Sequence, residues 1–119
     1  MKVGIPREIK NHEYRVAISP AGVHELVGRG HEVVIETGAG VGSSFSDEDF
    51  KAAGAQILGS AEQVWTDADL LLKVKEPIAE EYSRLRKDQV LFTYLHLAAS
   101  KECTDALLTS KTTSIAYET

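Results

Sequence analysis

The sequence predicts one α/β domain, a mostly parallel open sheet of about five strands with helices flanking it. Two observations carry this expectation. Short runs rich in Val, Ile, Leu and aromatic residues recur between segments whose apolar residues fall at helical spacing. Those runs are near-continuous rather than alternating, as expected of strands covered on both faces. A chain of 119 residues is long enough for one real core and sets one domain as the ceiling.

Taken in order, Val3-Gly4-Ile5 is a first strand stopped by Pro6, which cannot donate to a ladder. REIKNHEYR follows with seven ionisable residues in nine positions, too polar for a core element and therefore a loop. Ser19-Pro20 is a helix start, with serine as cap and proline at the first helical position. That helix runs to Gly28 or Gly30, with Val23, Leu26 and Val27 inward and His24 on the surface. His31 to Glu36 is a second strand. Ser46 caps a short helix closed by Gly54, and Ala55 to Leu58 is a brief strand. Ser60 caps a helix over Ala61 to Trp65. Leu70, Leu71, Leu72 and Val74 make a buried strand that Pro77 ends, and a polar helix covers Ala79 to Arg86. Val90 to Leu95 is the central strand, Ser100 caps a helix from Lys101 to Ser110, and Thr113 to Tyr117 is the last strand. Ending on an uncovered strand, the segment is expected to belong to something longer.

Composition excludes several functions. The net charge of −5, from 18 acids against 13 bases, argues against nucleic acid or an anionic membrane as partner, and the only local basic cluster, Tyr82 to Lys87, reads as a solvated helix face. No apolar run approaches the length of a bilayer span, and the start has no signal-peptide core. A lone cysteine, Cys103, builds no disulfide framework and has no metal-ligand spacing around it. It reads as packing in a reducing, cytoplasmic setting.

Two titratable residues fall where chemistry collects in open α/β sheets, outside the carboxyl ends of strands. His96 ends the central strand and could serve as general acid or base. Lys75 holds the equivalent place after the Leu70 strand. By contrast, the glycine-rich GAGVGSS stretch fails as a dinucleotide loop. Its third glycine position is Ser43, no helix opens from it, and no acid follows at about 20 residues to take the ribose. A flexible turn is the expectation there.

Three blocks, VGIPREIKNHEYRVAISPAGVHELVGRGHEV, DLLLKVKEP and LFTYLHLAAS, together resemble the amino-terminal domain of the alanine dehydrogenase family, which is akin to the α-subunit of nicotinamide nucleotide transhydrogenase. The likeness covers essentially the whole chain. It implies a Rossmann-like or flavodoxin-like substrate domain at residues 1–119, with the NAD-binding domain beyond the chain. It also implies reversible oxidative deamination of L-alanine to pyruvate and ammonia with NAD, in a cytoplasmic hexamer. Carried over by position, Arg15 looks like the carboxylate-binding arginine, Lys75 like the substrate lysine and His96 like the catalytic histidine. Glu118 matches a position that ligates a divalent metal in some relatives. The rivals are a transhydrogenase domain, which moves hydride between two nucleotides, the more distant saccharopine dehydrogenase, and a non-catalytic binding module. The joint presence of Lys75 and His96 favours the dehydrogenase. The isolated chain is expected to be inactive and not to bind NAD.

Overall fold

The computed structural model describes residues 1–95 and 100–117. Its strands are β1 (Lys2–Ile5), β2 (Glu32–Glu36), β3 (Gln56–Leu58), β4 (Leu70–Leu72), β5 (Val90–Thr93) and β6 (Thr113–Ala116), and its helices are α1 (Pro20–Gly28), α2 (Asp47–Ala53), α3 (Ala61–Asp67) and α4 (Lys101–Ser110). The strands form one six-stranded sheet in the order β3-β2-β1-β4-β5-β6. Every pairing in it is parallel. The sheet exceeds the expected count of about five because even the three-residue β3 enters the ladder, Val34 to Glu36 facing Gln56 to Leu58.

From β1 the chain winds outward through β2 and β3, then returns to lay β4 on the other side of β1. The strand order therefore reverses between β1 and β4, and the carboxyl ends of these two neighbours form the topological switch point of the sheet. Apolar residues fill both faces of the sheet. Val3, Ile5, Val33 and Ile35 pack with Val23 of α1 and Phe50 of α2, while Val34, Leu71 and Leu91 pack with Trp65 of α3 and with Cys103 and Leu107 of α4. Burial also pushes the Cys103 thiol up, as suits a packing residue. Gly4 permits the close approach of α3 to β1, since a Cβ there would lie 2.6 Å from that of Ala68.

The expected caps are in place. Ser19, Ser46, Ser60 and Ser100 each accept a hydrogen bond from the backbone N–H three residues on, and Gly54 closes α2 at φ 112°. Two expectations need correction. The segment after Pro77 is a 3-10 helix over Ala79–Arg84 rather than an α-helix to Arg86. It is held by i→i+3 bonds such as Glu81 N–H to the Ile78 carbonyl at 2.8 Å, and Arg86 turns away to donate to the Thr66 and Ala68 carbonyls. Regular β4 stops at Leu72, so Lys75 lies beyond the strand rather than at its end. Lys73 still donates its N–H to Phe92, and Val74 still accepts from Tyr94, but the chain then bends toward a carboxylate from the β1 loop.

Candidate active site

The loop after β1 and the bend after β4 meet at the switch point through one buried side chain. Glu8, although it sits in a highly charged loop, is 7% exposed. Its Oε1 accepts from the Lys73 ammonium and the Lys75 N–H, both at 3.1 Å, and its Oε2 accepts from the Val74 N–H at 3.0 Å. The Lys73 ammonium reaches on to Glu81 at 3.1 Å, with the side chains of Lys73 and Glu81 1% and 2% exposed. Burial raises the Glu81 carboxyl above its ordinary range, and the charge of Lys73 offsets part of that rise. Lys10 pairs with the buried Glu76 along the same seam.

Above this buried layer lies Arg15. Its Nε and Nη2 donate to the two oxygens of Glu13, both at 2.9 Å, in a bidentate fork. The hydrogen bonds from Arg15 hold the Glu13 carboxyl down at about 2, and Glu13 in turn raises the Arg15 guanidinium. Glu13 occupies only one edge of the guanidinium, leaving the Nη1 donors unengaged among the described residues. Arg15 and Lys75 line one depression of about 450 Å³, with Lys10, Asn11 and Tyr14 on its walls. The Lys75 ammonium is in no ion pair among the described residues. A second hollow of about 280 Å³ joins Arg15 to Val74, Tyr94 and Tyr117, whose two rings stand 4.9 Å apart.

The glycine stretch has a packing role. A Cβ on Gly40 would lie 2.5 Å from the Phe50 ring, and one on Gly42 would collide with the carbonyl oxygen of Tyr14, the residue before Arg15. Protein atoms thus pack against Gly40 and Gly42, and the stretch itself holds a three-residue 3-10 turn, Val41–Ser43, rather than opening directly into a helix. These residues do not fit a dinucleotide. Among the described residues no group of three His, Cys, Asp or Glu could hold a metal ion.

Of the residues singled out from sequence, Arg15 and Lys75 share a depression, whereas His96 and Glu118 lie outside the described residues. Four others went unnoticed: Glu8, Glu13, Lys73 and Glu81. Lys73 carried a signal, since a lysine within the apolar run LLLKV of a strand covered on both faces requires a buried carboxylate partner.

An open parallel sheet whose topological switch point carries a depression lined by Lys10, Glu13, Arg15 and Lys75 defines the class as an α/β domain with a charged crevice at its strand ends. Residues 4–119 match the family model described as alanine dehydrogenase/PNT, N-terminal domain, and the chain belongs to that family. It is 75% identical over its whole length to the alanine dehydrogenase of Mycolicibacterium smegmatis and 59% identical to that of Halomonas elongata, covering 32% of each. Among solved structures, an L-alanine dehydrogenase superposes with a TM-score of 0.97 at 52% identity, covering all of this chain and 33% of its own. A transhydrogenase from Sinorhizobium meliloti superposes with a TM-score of 0.89 at 35% identity, over 98% of this chain and 34% of its own. The chain thus spans about a third of the length of the relatives it matches.

Proposed function

We propose that this chain is the substrate-binding part of an NAD-dependent L-alanine dehydrogenase, which interconverts L-alanine, water and NAD with pyruvate, ammonium, NADH and a proton. The observation that carries the reading is the depression shared by Arg15 and Lys75, two cations from different loops at the rim of one sheet. A 2-oxo acid offers a planar carboxylate to the arginine donors that Glu13 leaves open. The Lys75 ammonium then donates to the carbonyl oxygen, where negative charge builds as ammonia adds. His96, carried over by resemblance, exchanges the proton as carbinolamine and iminium form and collapse. NAD is held outside this chain. A cytoplasmic hexamer belongs to the same reading by resemblance. Identities of 59% and 75% to alanine dehydrogenases, against 35% to the transhydrogenase, support amino-acid chemistry over hydride exchange between nucleotides.

The test is steady-state assay of the full-length protein with L-alanine and NAD, and in reverse with pyruvate, ammonium and NADH. His96→Ala lowers turnover by about 10²-fold or more and leaves NAD affinity unchanged. Arg15→Lys raises the pyruvate KM by about 10-fold or more, because an ammonium cannot reproduce the planar fork. Hydride exchange between two nucleotides, with no turnover of alanine, would overturn the reading.

A further inference from the structure

Glu8 is the link between the two halves of the proposed site, and its geometry is that of a fixed anion. Three donors converge on it: the Lys73 ammonium, the Val74 N–H and the Lys75 N–H. The Glu8 side chain is 2% exposed, so water is not an alternative partner for most of its surface. All three neighbours are donors, so only an acceptor-only group satisfies them together, which an ionised carboxylate is and an amide is not. Two of the donors are the consecutive backbone N–H groups that aim the Lys75 side chain, and Glu8 itself belongs to the loop that carries Arg15.

We propose that Glu8 is a positioning residue for the oxo-acid site, clamping the β4 bend to the β1 loop so that Lys75 and Arg15 meet across one depression. The inference rests on the reading of Arg15 and Lys75 as the substrate cations. In Glu8→Gln one side-chain oxygen becomes an NH2 group that must face an N–H or the ammonium, and the bend loses its clamp. Displacement of a binding group by about 1 Å costs up to about 10²-fold, so substrate recognition suffers before folding does.

The experiment compares Glu8→Gln, Lys75→Ala and Glu81→Gln in the full-length protein, reading KM for pyruvate, KM for NADH and the melting temperature. Glu81 touches the same buried lysine but neither the Val74 nor the Lys75 backbone. A melting-temperature loss without a pyruvate shift in Glu81→Gln therefore marks a purely structural effect. The expected result is a pyruvate KM raised at least about tenfold in both Glu8→Gln and Lys75→Ala, with the NADH KM unchanged. If Glu8→Gln does not accumulate folded, Glu8→Asp is read the same way. It keeps the charge for Lys73 but withdraws from the two backbone donors. Unchanged pyruvate KM in Lys75→Ala overturns the site itself. A raised KM in Lys75→Ala with an unchanged KM in the Glu8 variant overturns only the clamp, as does a pyruvate shift of equal size in Glu81→Gln.

Discussion

Lys73 is a residue whose removal leaves two buried carboxylates without their counter-charge. It is one ammonium between two carboxylates, all three buried, at 3.1 Å from Glu8 and 3.1 Å from Glu81. At the effective dielectric of about 20 that suits protein sites, each such contact is about 5 kcal/mol of gross Coulomb attraction. Against this stands the cost of burying the lysine, several kcal/mol, which Lys73→Met removes. The net expectation for Lys73→Met is a loss of about 3–5 kcal/mol, the usual range when one partner of a buried ion pair is deleted. The loss depends on pH. Folding already raises the Glu81 carboxyl above its ordinary 4.5, so between the two values the folded state binds more protons than the unfolded chain. Its contribution is then fully present below about pH 4.5 and declines as pH rises through the folded value. Without the lysine, the influence that lowers the Glu81 value disappears, the rise grows and the decline steepens. Urea unfolding followed by the fluorescence of Trp65, the chain's single tryptophan and 1% exposed, reads both effects at pH 5 and pH 8. The variant should fall furthest behind at pH 8. A loss under about 1 kcal/mol at both values would refute the reasoning, because a charged lysine between buried carboxylates cannot be so cheaply removed.

Two further perturbations address the loop that carries Arg15. Glu13 is held at about 2 in the folded chain against an ordinary 4.5, so its contribution is present above about pH 4.5 and is lost as pH falls toward 2. The stability advantage of the native chain over Glu13→Gln should therefore shrink across that window in thermal melts, and a pH-independent difference would contradict the pairing with Arg15. Gly42→Ala drives a Cβ into the Tyr14 carbonyl and must shift the adjacent Arg15, so pyruvate KM in the full-length protein should rise several-fold. Gly59→Ala, whose Cβ meets nothing closer than 3.8 Å, should change neither KM nor stability by more than about 0.5 kcal/mol.

The parts legible in the sequence were those written within a few residues. Serine caps with the donor three positions on, glycine ends and apolar runs depend on neighbours in the chain, and Ser19, Ser46, Ser60 and Ser100 all cap where expected. The polar segment after Pro77 misled because its charges did not all face water: Glu81 turns inward to Lys73, and the backbone tightens into a 3-10 helix. The packing role of the glycine stretch was invisible in the sequence, since Gly42 is explained by Tyr14, a residue from another loop.

Glu8 shows why single residues could be picked out of the sequence more readily than the contacts that join them. Read locally, REIK is a solvated loop and LLLKV a strand with one awkward lysine. Nothing within either stretch names the other. They become partners because β4 lies beside β1, with Val3 facing Leu70 and Gly4 facing Leu71, so the loops leaving those strands emerge side by side. Had β4 instead been added outside β3, Lys73 would have been stranded without a counter-charge, at a cost of several kcal/mol. Strand order and the Glu8–Lys73 pair therefore support each other. The buried lysine penalises sheets in which β1 is not its neighbour, and the correct order brings Lys75, two residues further on, to the rim that Arg15 occupies.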